Sequence, residues 1–124
     1  MDTTTNFLYF NSRDELLRLD ISKIVYFESD GNYTNIILTN KLRCIICLNL
    51  AQTEKILEER LKEKARCFAR IGKRFIINLN YVYQINVIKQ RLVLSDYSSF
   101  AFQLEISKEA LKKLKEIFLN IKSA

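Results

Sequence analysis

From Phe100 to Ile106 the chain reads FAFQLEI, and this heptapeptide constrains the fold more than any other stretch. Phe100, Phe102, Leu104 and Ile106 alternate strictly with Ala101, Gln103 and Glu105. Successive side chains of a strand point to opposite faces, so the pattern predicts a strand with one buried face. Shorter runs of the same kind recur upstream, each bounded by polar residues. Phe7 to Phe10 and Leu16 to Leu19 flank the turn Asn11-Ser12-Arg13-Asp14. Ile24 to Glu28 (IVYFE) is β-branched and aromatic, as buried strands are. Ser29-Asp30-Gly31-Asn32 reads as a turn, with Gly31 supplying a positive φ. Tyr33 to Thr39 and Leu42 to Cys47 predict a hairpin across Asn40-Lys41. Val82 to Ile88 and Arg91 to Leu94 predict another across Lys89-Gln90.

Two segments carry helical signals instead. Asn49 followed by Gln52 matches a capping box, and Leu50, Leu57 and Leu61 give one apolar face. This helix is acidic on balance, which sets it away from any anionic partner. Ser107 caps a second helix whose stripe is Leu111, Leu114, Phe118 and Ile121, with Lys112, Lys113, Lys115 and Lys122 mostly outside it. The expectation is a mainly β chain of about eight or nine short strands and two helices. A length of 124 residues, with no proline and no Ser/Gly linker, predicts one domain over residues 1–124.

Several chemistries are missing. The chain has no histidine, which removes the commonest general base, the usual metal ligand and every Ser-His or Cys-His pair. Two isolated glycines cannot build a phosphate loop. Cys44-Ile-Ile-Cys47 has the spacing of a redox or zinc motif, but on a strand positions i and i+3 face opposite ways. Buried, inert cysteines are the expectation, with no metal and no cofactor. Glu28 and Asp30 flank a turn, where they can anchor nearby cations. No enzymatic activity is expected. The polar N-terminus MDTTTNF is not a secretory signal, no apolar run approaches a membrane span, and three cysteines suit a reducing cytosol.

Charge is unevenly spread. Residues 1–65 hold nine Lys/Arg against ten Asp/Glu, whereas residues 66–124 hold eleven against four. The whole net charge of +6 therefore comes from the second half. Such a field favours a polyanion, either nucleic acid or an anionic membrane surface; a basic half also simply aids solubility. The densest group lies in RIGKRFIIN, Arg70 to Asn78. Here Arg70, Lys73 and Arg74 surround Gly72 at the mouth of the apolar run Phe75-Ile76-Ile77. A glycine permits a turn that would strain a residue with a Cβ, and the turn would present Lys73 and Arg74 at the edge. A merely solvated loop is the competing reading. Lys108 opens the second helix, where the dipole disfavours a cation by roughly 0.3–1 kcal/mol but the free N–H groups suit phosphate.

With these residues in view, the chain resembles the LytTR DNA-binding domain, the output module of many bacterial two-component response regulators. The resemblance runs from about Asp20 to Leu119. It rests on DISKIVYFESDGNY, on FARIGKRFIINLNYVYQI, and on RLVLSD followed by FAFQLEISKEALKKL, in that order. It implies an elongated stack of small antiparallel sheets with two helices, whose loops enter successive major grooves. It implies a sequence-specific duplex-DNA-binding transcriptional regulator of the bacterial cytoplasm, with two copies on repeated half-sites as a homodimer and no membrane partner. Carried over by position, Lys73, Lys108, Asn35, Tyr33 and Asn32 would read bases. Arg70, Arg74, Ser107, Lys112 and Arg43 would grip the DNA backbone, and Asn78 would serve structure. Family members often have histidine at the position of Gly72, a small polar residue at Arg74 and arginine at Lys108. These departures bear on base specificity, since arginine grips guanine with two bonds and lysine acts as a point charge. No receiver domain lies in the chain, which is either free-standing or cut from a longer regulator. The alternative is an interaction or dimerisation module with the same fold that has lost DNA, working through the first helix or its sheet edges.

Overall fold

The computed structural model describes residues 6–123, and the side chains of residues 6–120. Ten strands and two helices follow one another, one or two strands more than expected. They are β1 (Phe7–Asn11), β2 (Leu16–Asp20), β3 (Ile24–Asp30), β4 (Tyr33–Leu38), β5 (Arg43–Ile46), helix α1 (Leu50–Leu61), β6 (Phe68–Ile71), β7 (Phe75–Asn78), β8 (Val82–Asn86), β9 (Arg91–Ser95), β10 (Ala101–Glu105) and helix α2 (Lys108–Ser123). Every strand pairing is antiparallel. They form a two-stranded sheet β1-β2, a five-stranded sheet in the order β5-β4-β3-β7-β6 and a three-stranded sheet β10-β9-β8.

The five-stranded sheet is the middle layer, because its two faces feed two separate cores. Phe27, Ile36 and Ile76 enter one, with Leu8 and Leu19 of the β1-β2 hairpin and Leu50, Leu57 and Leu61 of α1. Tyr26, Ile37, Phe75 and Ile77 enter the other, with Leu92, Leu94 and Leu104 of the three-stranded sheet, Phe100 just before β10, and Leu111 and Leu114 of α2. Strand alternation produces this split, and a bulge adjusts it. The pairing of β3 with β4 shifts between Ile24 and Tyr26, so Val25 and Tyr26 share a core while Ile24 and Phe27 share the opposite one. Each fully buried Leu, Ile or Phe contributes about 1.5–3 kcal/mol through the apolar area it removes from water.

Local chemistry sets the helix starts. Asn49 accepts from the Gln52 N–H at 2.8 Å, and the Gln52 side chain accepts from the Asn49 N–H at 2.9 Å, the reciprocal box predicted. Thr53, unnoticed in the sequence, is fully buried; its hydroxyl donates to the Asn49 carbonyl at 2.9 Å and lies 3.3 Å from the Thr34 hydroxyl. Ser107 caps α2 by accepting from the Ala110 N–H at 3.2 Å. The expected stripe of α2 is seen in Leu111 and Leu114, which are buried, and Phe118, which is half-buried; the Ile121 side chain falls outside the described residues. Asn78 serves structure: its amide donates to the Ile24 carbonyl at 2.9 Å and its oxygen accepts from the Asn80 N–H at 3.0 Å.

The cysteines need a correction. Cys44 and Cys67 are half-buried, and burial pushes both thiols up, which disfavours the thiolate form. Cys47, expected inside, is exposed because β5 ends at Ile46 and the chain turns there toward α1. All three are free thiols.

Candidate nucleic-acid interface

Sheet register places the candidate turns. In the β3–β4 hairpin Asp30 pairs with Tyr33, so the turn is only Gly31-Asn32, tighter than the four residues expected. Glu28 of β3 pairs with Phe75 at the start of β7, and Ile71 pairs with Phe75 across Gly72-Lys73-Arg74. The two turns therefore leave the same end of the five-stranded sheet, side by side. The Ser29 N–H donates to the Arg74 carbonyl at 2.8 Å and ties them together. The start of α2 joins them: Gly72, Arg70 and Ile71 line one cavity of about 420 Å³ with Ser107, Glu109, Ala110 and Lys113. Three bends from distant parts of the sequence thus meet at one end of the molecule.

Both turn glycines have positive φ, +63° at Gly31 and +61° at Gly72, with open space where a Cβ would stand. Backbone conformation alone favours glycine there. Lys73, at the tip of its turn, is exposed, and its ammonium has no hydrogen-bond or ion-pair partner among the described residues. Lys108 and Lys112 are exposed and four residues apart, so they project from one face of α2. Asn32 is exposed in its turn, and Tyr33 is 49% exposed rather than core. Lys113, in sequence one of the lysines outside the apolar stripe of α2, lies in the wall shared with Gly72, which brings it to the same end. So does Lys89, one residue before Gln90, whose carbonyl accepts from the Ile106 N–H at 3.0 Å just ahead of α2. A lysine in a hairpin turn carries no signal of this in sequence.

Four residues stand differently from expectation. Arg70 is already committed: it contacts Glu54 of α1 at 3.1 Å and donates to the carbonyls of Gly72 at 3.2 Å and Lys73 at 3.4 Å. Arg74 pairs with Glu28 at 2.7 Å and lies 5.1 Å from the Phe75 ring centre; Glu28 thus anchors a cation. Asn35 is 6% exposed and lies in a strand paired on both sides rather than in an exposed loop. Arg43 begins β5 opposite Ile37, whereas the other end of β5 lies opposite Thr34, so it stands at the far end of the sheet from the turns. Ser107 keeps its helix-capping bond.

Among the described residues no group of His, Cys, Asp and Glu could hold a metal ion, and no helix is long and apolar enough to cross a membrane. No curated protein matches the chain. A solved LytTr DNA-binding domain from Bacillus cereus is similar in fold, with a TM-score of 0.63 at 18% identity, covering 91% of this chain and 96% of that one. The family model described as LytTr DNA-binding domain matches residues 14–119, which takes in β2 as well as the region expected from sequence. The three-sheet architecture and this match agree, and the chain belongs to the LytTr DNA-binding domain family.

Proposed function

We propose that the chain is a transcriptional regulator that binds duplex DNA in a sequence-specific way, setting its turns into successive major grooves. The observation that carries this is the meeting of the β3–β4 turn, the β6–β7 turn and the start of α2 at one end, with Lys73 unpaired at the tip. Lys73 and Lys108 face base edges, helped by Asn32 and Tyr33. Lys112, Lys113 and Lys89 meet phosphates, and Arg74 joins them from its exposed pair with Glu28. Phosphate contacts position a protein on DNA, and base-edge contacts specify the sequence. The DNA is bound by two copies on repeated half-sites, in a bacterial cytoplasm.

Selection from random duplexes followed by a salt titration tests this. With roughly six phosphates neutralised, log affinity falls with log salt at a slope near −5. Affinity that ignores salt, or a selection that yields no preferred site, contradicts it. A second reading, an interaction module with the same fold, draws on edge strand β5, where Leu42 beside it and Ile45 within it are 61% and 58% exposed. Ultracentrifugation with and without duplex DNA separates the two. A stable self-complex indifferent to DNA favours the second.

A further inference from the structure

Arg70 looks, in sequence, like one more cation for DNA. Its bonds say otherwise. The guanidinium sits beneath the β6–β7 turn, with Nε on the Gly72 carbonyl and one terminal nitrogen on the Lys73 carbonyl. The other terminal nitrogen meets Glu54 of α1 at 3.1 Å. Glu54 is sixteen residues earlier in the chain and on the helix that packs against the opposite face of the sheet from α2. The planar fork of arginine suits this: three donors held at fixed angles can bind two successive carbonyls and a carboxylate together. The third carbonyl of the turn, Arg74, accepts from Ser29. All three carbonyls of the turn are thus tied to the scaffold, and Lys73 stands on a backbone that has been fixed from behind.

We infer that Arg70 and Glu54 are positioning residues for DNA recognition: together they hold the Gly72–Arg74 turn in the shape that aims Lys73, and neither grips phosphate. The inference rests on the reading of this end as the DNA interface. It makes a prediction that electrostatics alone reverses. Removing an acidic residue from a DNA-binding protein strengthens its attraction to phosphate. Removing Glu54 weakens specific binding instead, because the turn that carries Lys73 loosens.

The test compares Glu54→Ala with Glu59→Ala, which takes the same charge from an exposed, unpaired position on the same helix. Backbone ¹⁵N relaxation is measured on each free protein, and affinity on the selected duplex and a scrambled one. In Glu54→Ala, order parameters at Gly72–Arg74 fall from about 0.85 to below about 0.6 while the strands stay rigid. Its affinity for the selected site drops about tenfold, with little change on scrambled DNA and an unaltered salt slope. Glu59→Ala leaves the turn ordered and binds equally or more tightly. Arg70→Lys, which keeps the charge but loses the fork, behaves like Glu54→Ala. A turn that stays ordered in Glu54→Ala, or a Glu54→Ala protein that binds as tightly as Glu59→Ala, overturns the inference. If the wild-type protein ignores duplex DNA, the functional reading falls, and the relaxation measurement still decides whether the pair holds the turn.

Discussion

The β6–β7 turn and the β9–β10 loop are both tight bends with one residue at positive φ, Gly72 at +61° and Tyr97 at +73°, yet they are organised by groups of opposite sign. In the first, the Arg70 guanidinium takes up carbonyl oxygens. In the second, the Asp96 carboxylate takes up N–H groups: Ser98 at 3.0 Å, Ser99 at 2.7 Å and Phe100 at 3.2 Å, with the Ser99 hydroxyl as a fourth donor. These bonds hold the Asp96 carboxyl well below the usual carboxylate range. The loop shares a cavity wall with Lys41 of the β4–β5 turn, so it lies at the other end of the molecule from Lys73. A bend whose donors are spent on its own anion has little to offer phosphate. A bend whose acceptors are spent on a cation, with a free lysine at its tip, is suited to it.

Reversing the sign at the first bend should produce the largest effect. Lys73→Glu is expected to lower affinity for the selected duplex more than about 100-fold, which an electrophoretic shift titration would show. Lys73→Ala should cost less, about 1–2 kcal/mol, and chiefly on the preferred site; equal losses on all duplexes would assign Lys73 to phosphate. Gly72→Ala meets no steric neighbour, so backbone strain alone should lower stability by about 1 kcal/mol in a denaturant melt, and Gly72→Asn by less. The smallest effect on DNA belongs to the second bend. Asp96→Ala should lower the melting temperature and leave the affinity for the duplex unchanged. The folded-state pKa of Asp96 is depressed, so its contribution is present above the unfolded value near pH 4 and is lost as pH falls toward the folded value. The stability difference between wild type and Asp96→Ala should therefore shrink in acid. A difference that grows in acid would reverse the assigned sign.

Much of the scaffold was legible in the sequence because local pattern determines it. Alternation in FAFQLEI located β10, and Asn49 with Gln52 located the start of α1. The positions of the β3–β4 and β6–β7 turns followed from two glycines and their neighbours. What local pattern does not carry is which distant groups become neighbours. Three cations around Gly72 look equivalent in sequence. Only the fold brings Glu54 to Arg70 and Glu28, forty-six residues upstream, to Arg74, leaving Lys73 as the unpaired one. Asn35 reads as a turn-proximal polar residue until strand order encloses β4 between β3 and β5. Arg43 reads as one more cation until register puts it at the wrong end of β5.

In the proposed complex one end of the molecule, built from three bends, meets DNA. Chemical-shift mapping on the ¹⁵N-labelled protein with the selected duplex locates the contact residue by residue. The largest shifts should fall at residues 31–33, 72–74 and 107–113, with residues 40–41 and 96–99 unmoved. Shifts concentrated at 40–41 and 96–99, or spread evenly over the surface, would contradict it.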